Sequence, residues 1–234
     1  KARTKKVRFF RDLTLHSKIA IAATLILIFV GAAFIFSFEY NNPQTMKDYT
    51  LLQKIEVSLF QSVTTRTAGF ATVPQENLTN ASAILCLLLM FIGGSPVGTA
   101  GGIKTVTFAV IIVAAIASIR NKEDPEVFGR RFTKYAVSKA VAVTCMSFII
   151  MFTSTVLLSA TTDANALDIV YETVSATATV GLTRNLTASL GSIGKLIIII
   201  TMYLGRVGPI SLAVAFKRSK DNQNIVRNPV EEIS

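Results

Sequence analysis

Histidine is nearly absent from this sequence, acidic residues are few, and charge of any kind is thin. One histidine, His16, in a basic segment leaves no set of ligands for a histidine-based metal centre and no base for a catalytic triad. The two cysteines, Cys86 and Cys145, both stand inside apolar runs, where a free thiol behaves as a small hydrophobe, so they carry no information about redox compartment. Charged residues make up only 16% of the chain, too few for the surface of a soluble domain of this length.

What fills the chain instead is apolar sequence, 51% of its residues, gathered into runs. "IAIAATLILIFVGAAFIFSF" (19–38), "ILCLLLMFIGG" (84–94), "FAVIIVAAIASI" (108–119), "AVAVTCMSFIIMFTSTVLLSA" (140–160) and "LIIIITMYLG" (196–205) include several that approach the roughly 20 residues a helix needs to cross a bilayer. The composition predicts an all-α polytopic membrane protein. The first run is too long for a signal peptide, lacks a small-residue cleavage pattern, and is followed by comparable runs.

The net charge of +10 is unevenly placed. Basic residues crowd into 1–18, 120–139 and 217–227, whereas 39–50 and 161–168 carry Lys47 against Glu39, Asp48, Asp163 and Asp168. Positive segments stay in the cytoplasm, so charge predicts both termini inside and an even number of crossings between basic segments. Residues 17–38, 81–119, 136–160 and 191–216 supply four spans, with the lipid bilayer and no nucleic acid as the surround.

Between the outer ends of these spans lie "LLQKIEVSLFQSV" (51–63) and "ANALDIVYETVSA" (164–176), helical in pattern but too short to cross. Each runs into a Thr- and Gly-rich segment, which predicts a re-entrant loop. Non-helical backbone at membrane depth is tolerated only when buried in protein or lining a watery path. A shift of 112 residues, from 65 to 177, aligns Thr65 with Thr177, Thr67 with Thr179, Gly69 with Gly181, Met90 with Met202 and Gly93 with Gly205. The chain therefore reads as two tandem span–re-entrant P-loop–span repeats, 1–119 and 120–234, parallel in topology.

In "TRTAGF" (65–70) and "TATVGL" (177–182), backbone carbonyls and threonine hydroxyls are candidate ligands, and glycine has the dihedral freedom to turn carbonyls toward one axis. Rings of such oxygens replace the hydration shell of potassium. The predicted half-helices, ending at Val63 and Ala176, would aim partially negative C-termini at the same place, which favours a cation. The candidate filter residues are Thr65, Thr67, Ala68, Gly69 and Phe70, with Thr177, Thr179, Val180, Gly181 and Leu182.

"TTRTAGF", "GGSPVGTAGGIKT" and "SATATVGL" resemble the third and fourth repeats of the Trk/Ktr/HKT superfamily of cation transporters, and within it the bacterial KtrB-type membrane subunits. The resemblance covers essentially the whole chain. It implies a potassium pathway of four span–loop–span repeats, each contributing one filter glycine. Gly69 and Gly181 match two of them, and glycine at both favours potassium over the sodium-selective variants that carry serine at one. It also implies a homodimer, a ring of cytosolic nucleotide-binding regulatory subunits of the KtrA type against the basic segments 1–18 and 120–139, and sodium as a candidate activator or coupling ion. Only two repeats are present, so an N-terminal half carrying the other two, or a second copy, is expected to complete the filter.

As one helix, 81–119 would extend about 58 Å, roughly twice the hydrocarbon thickness. Five glycines and a proline within 93–102 break it. This loop, with Gly93, Gly94, Ser95, Pro96, Gly98, Thr99, Gly101 and Gly102, and Lys104 at its lower edge, is well placed to obstruct a path beneath the filter, and the resemblance implies an intramembrane gate there. "GTAGGIKT" lacks the glycine before lysine and the preceding strand of a nucleotide loop, and no base accompanies Ser95 for hydrolysis. Arg206 stands 11 residues before Lys217, about 16 Å along a helix, at a depth where an arginine must face the pathway or a partner. The resemblance implies that it projects positive charge into the cavity as a barrier.

The leading reading is thus the pore-forming subunit of a potassium uptake system, with no covalent chemistry. A broken-helix secondary transporter for a small solute is the alternative; such carriers aim half-helix N-termini at anionic substrates, whereas here C-termini converge.

Overall fold

The structure, a computed structural model, describes residues 13–95, 101–122 and 124–208. The expectations that rest on Pro96, Gly98 and Thr99, on most of the N-terminal basic segment and on everything past Gly208 lie outside the described residues.

Threonine sets where half of the described α-helices begin. Thr14, Thr79 and Thr133 each accept, through the side chain, an otherwise unpaired amide of the first turn, starting α1 (Leu15–Glu39), α3 (Asn80–Phe91) and α5 (Lys134–Ser159). Thr50 and Gln53 form a reciprocal capping box at the head of α2 (Leu51–Thr64). Asn165 caps α6 (Ala166–Thr177). A four-residue helix, α7 (Leu186–Ser189), and α8 (Ser192–Val207) complete the second half. Among the described residues, α1 and α5 are individually long and apolar enough to cross a membrane.

Within 81–119 the helix is interrupted where glycine concentrates, as the sequence predicts. α3 stops at Phe91 and α4 (Thr105–Ile119) starts 14 residues later. The two sides of the gap are tied together, with Ile103 N–H donating to Phe91 O at 3.2 Å and Thr105 N–H to Gly94 O at 3.2 Å. A small hairpin that the sequence reading did not include follows α4. Its strands β1 (Glu126–Val127) and β2 (Arg130–Arg131) are joined by Phe128 and Gly129, both at positive φ, the requirement of a tight two-residue turn.

One core spans the two halves of the chain. Val73, Leu78, Cys86 and Met90 pack with Tyr171, Val174, Ala178, Val180 and Leu182, so α6 and the segment after it are enclosed by residues about 100 positions away. The outward faces run the other way: Leu25, Ile26, Phe29, Ile149, Phe152, Ile199 and Tyr203 are exposed. An apolar exterior of this extent suits a hydrocarbon surround.

Candidate functional site

The short helices α2 and α6 end where the two Thr/Gly segments begin, and each segment is folded back against the helix that precedes it. Ala68 and Gly69 both donate to Thr64 O at 3.1 Å, and Phe70 N–H donates to Thr64 Oγ1 at 2.8 Å. In the second half Thr179 donates to Ala176 O at 3.1 Å, Val180 to Ser175 O at 2.9 Å, and Gly181 to Ser175 Oγ at 3.1 Å. In a trans peptide the N–H and the preceding C=O point in opposite directions. Amides that face the helix therefore turn the carbonyls of Thr67, Ala68 and Gly69, and of Ala178, Thr179 and Val180, away from it. Among the described residues no hydrogen bond ends on these six oxygens.

Backbone conformation repeats across the halves at the same 112-residue interval as the sequence. Thr67 and Thr179 have φ of 68° and 53°, and Gly69 and Gly181 have 78° and 97°. Alternating left-handed residues keep successive carbonyls on one side, where an ordinary strand would send them to opposite faces. At Thr67 and Thr179 the conformation is adopted by a β-branched residue, a local strain that the surrounding bonds must hold. The two segments meet: a β-carbon at Gly69 would lie 2.1 Å from the Val180 carbonyl oxygen, and one at Gly181 would lie 3.9 Å from the Gly69 Cα.

The side chains of the expected filter residues divide. Thr65 donates its hydroxyl to Ser62 O at 2.9 Å and Thr177 donates to Thr173 O at 2.8 Å, so both hydroxyls are turned back into the half-helices. Thr64 Oγ–H donates to Phe70 O at 2.6 Å, which engages that carbonyl. Thr179 Oγ1 is buried and has no hydrogen-bond partner among the described residues. Val180 and Leu182 are buried, whereas Ala68 and Phe70 lie exposed on the open flank of the first segment.

The Gly101–Gly102 end of the α3–α4 break sits directly against the second segment. A β-carbon at Gly101 would meet Thr179 Oγ1 at 2.3 Å and Ala178 O at 2.5 Å, and one at Gly93 would meet Gly101 O at 2.2 Å. Gly102, at φ +66°, passes beneath the Ala178 methyl. Ser95 is anchored to α1 through a 2.9 Å bond between its hydroxyl and Thr24 Oγ1, and Thr105 Oγ1 donates to the same Ser95 oxygen at 3.4 Å. Gly94 O receives the Thr105 amide described above. Lys104 stands immediately before α4, within electrostatic range of Arg206. Arg206 is exposed in the last turn of α8, one residue past Gly205, whose Cα is pressed so close to the end of α6 that a β-carbon there would be 2.1 Å from Thr177 O.

Ala178 and Glu172 were not singled out from sequence, whereas Arg66 and Arg184 were expected to flank the Thr/Gly segments and to hydrogen-bond to carbonyls around the short helices or face outside. Ala178 contributes a free carbonyl. Glu172, on α6, accepts hydrogen bonds from Thr183 and Thr187. Arg184 pairs with Asp168 at 2.7 Å and donates to Gln75 O at 2.7 Å and Glu76 O at 3.1 Å, which ties the second segment to the first half of the chain. Arg66, the other arginine beside a Thr/Gly segment, donates to Thr24 O at 3.1 Å. Glu39, fully buried at the end of α1, accepts from Asn42 Nδ2 and Thr45 Oγ1, each at 2.6 Å, and from Thr79 at the head of α3 through its N–H at 2.9 Å and hydroxyl at 2.8 Å. A lone acid in an apolar or small-residue stretch is the signal that could have pointed to Glu172, since such a group inside a membrane must find donors.

A family model described as TrkH, cation transport protein, matches residues 3–227. Ktr system potassium uptake protein B of Bacillus subtilis is 39% identical over 228 residues, covering 97% of this chain and 51% of that protein. Its namesake in Vibrio alginolyticus is 38% identical over 209 residues, 89% of this chain and 46% of that protein. Potassium/sodium uptake protein NtpJ of Enterococcus hirae is 35% identical over 220 residues, 91% of this chain and 49% of that protein. Among solved structures, the potassium transporter TrkH from Vibrio parahaemolyticus superposes with a TM-score of 0.71 at 16% identity, over 85% of this chain and 44% of that chain, a likeness of fold. The chain thus spans about half the length of the curated relatives it matches.

Proposed function

The chain belongs to the TrkH family of cation transport proteins, membrane transporters and not enzymes, and from that premise we propose that it carries two of the four quarters of a potassium-selective pathway. Each half of the chain forms a span, a re-entrant half-helix with its filter segment, and a second span. Carbonyls after α2 and α6 take the place of water around a dehydrated potassium ion. The observation that carries this reading is the convergence of two segments with matching left-handed residues, Thr67 and Gly69 against Thr179 and Gly181, whose unbonded carbonyls face away from their half-helices.

Beneath the filter the α3–α4 break acts as the gate, with Gly101 and Gly102 packed against Ala178 and Thr179. Arg206 and Lys104 add positive charge below the filter and slow cation exit. The other two quarters come from an N-terminal half or from a second copy, the subunit is a homodimer, and cytosolic nucleotide-binding subunits govern it from the basic inner face. Sodium enters as activator or coupling ion, consistent with the potassium/sodium name of one relative.

Rubidium uptake tests the reading. In cells stripped of their own potassium uptake, Gly69→Asp or Gly181→Asp should abolish rubidium uptake while the protein still reaches the membrane. Uptake indifferent to both changes would place the ion path elsewhere.

A further inference from the structure

Glu172 lies on α6 with 6% of its surface exposed, one of two buried carboxylates among the described residues, the other being Glu39. Both its oxygens are engaged by the chain that leaves the filter: Oε2 accepts from Thr183 Oγ1 at 2.7 Å, and Oε1 accepts from Thr187 Oγ1. The two hydroxyls are themselves 3.2 Å apart. Both threonine protons thus converge on one carboxylate, and hydrogen bonds to an ionised acceptor are roughly twice as strong as neutral ones. The clamp spans the turn at Gly181, since Glu172 precedes the filter and its partners follow it.

The first half of the chain does without such a device. In register with Glu172, 112 residues earlier, stands Phe60, 41% exposed, and that filter segment is held by the neutral Thr64 hydroxyl on Phe70 N and O. The fold of a filter segment therefore does not require a carboxylate at this place. A cavity of about 270 Å³ lies beside the clamp, lined by Glu172, Thr179, Gly181, Thr183 and Thr187 among others. That space lets the segment relax sideways once the clamp is gone, so its loss is felt first in carbonyl spacing and only later in stability.

We infer that Glu172 is a positioning residue for ion selectivity, clamping Thr183 and Thr187 so that the carbonyls ahead of Gly181 keep the spacing potassium needs. The inference rests on the filter reading above. Selectivity is a difference between two affinities, and a segment free to contract serves sodium better than one held open.

The test uses the transporter as the cell assembles it, with this chain in its native reading frame, and reads inhibition of rubidium uptake by added sodium at matched membrane expression. Loss of two charge-assisted bonds predicts that the double variant Thr183→Val/Thr187→Val lowers potassium-over-sodium discrimination by about tenfold. Glu172→Ala should do the same. Glu172→Gln should stay within about threefold of wild type, because each threonine hydroxyl can rotate to donate or accept and the clamp survives without the charge. Unchanged discrimination in the double threonine variant would overturn the inference, even if Glu172→Ala fails to reach the membrane. So would Glu172→Gln matching Glu172→Ala while the threonine variants match wild type, since the carboxylate would then act on the ion by charge alone. A wild-type protein that takes up no rubidium would instead overturn the filter reading itself.

Discussion

At Gly69 two requirements coincide. Its φ of 78° is open to glycine at little cost, and the Val180 carbonyl oxygen occupies the space that any β-carbon would need. At Gly181 only the backbone requirement applies, since a β-carbon there meets nothing nearer than the Gly69 Cα at 3.9 Å. Substitution at 69 should therefore be the harsher of the two. Arg206 acts at the same scale through charge. A unit charge a few ångströms from a hydrated path contributes about 1 kcal/mol, roughly fivefold in rate, to the barrier for a cation. Arg206→Ala should accordingly raise rubidium flux about fivefold at equal expression; unchanged or reduced flux would assign the arginine a structural task. Its place at the end of an apolar helix was legible in the sequence because it follows an apolar run. The bonds that Thr65 and Thr177 make were not, because a hydroxyl at the end of a helix can face either its own turn or the path, and the i−3 or i−4 carbonyl takes it here.

Among the elements, the α3–α4 break carries the gating proposal, which can be probed at Gly101. Gly101 fits beneath the second segment only because it has no side chain. Overpacking of this kind costs about 1–3 kcal/mol, enough to shift a two-state balance at least fivefold. If the resting loop lies under the filter, Gly101→Val should displace it and raise basal rubidium flux several-fold, read as uptake in cells lacking the regulatory subunits. Normal expression with unaltered flux would show that the loop does not obstruct the path. The break itself could be read from glycine density and from the excess length of 81–119. The half-helices could be read from their shortness, and their observed ends, Thr64 and Thr177, fall one residue from the expected ones. The hairpin of β1 and β2 could not, because two-residue strands leave no periodicity and depend on the turn at Phe128 and Gly129. Glu172 escaped for a related reason. Its partners are 11 and 15 residues away along the chain and come within reach only after the filter has turned back.

On the scale of the whole molecule, in the proposed reading this chain supplies one side of a pathway and further repeats supply the other side. Val180 and Leu182 are buried in a core that draws on both halves, while Phe70 is 70% exposed. Contacts such as Arg184 to Gln75, between residues 109 apart, join the halves into one body and lie beyond any local pattern in the sequence. The two-fold internal match at 112 residues was legible; which surfaces it brings together was not, because that depends on long-range packing. The most direct test of the account is to locate the ion. In a structure of the complete transporter grown with rubidium or thallium, anomalous scattering should place the cation within coordination distance of the carbonyl oxygens of Thr67, Ala68, Thr179 and Val180. Anomalous density elsewhere, with these carbonyls turned into protein or lipid, would contradict it.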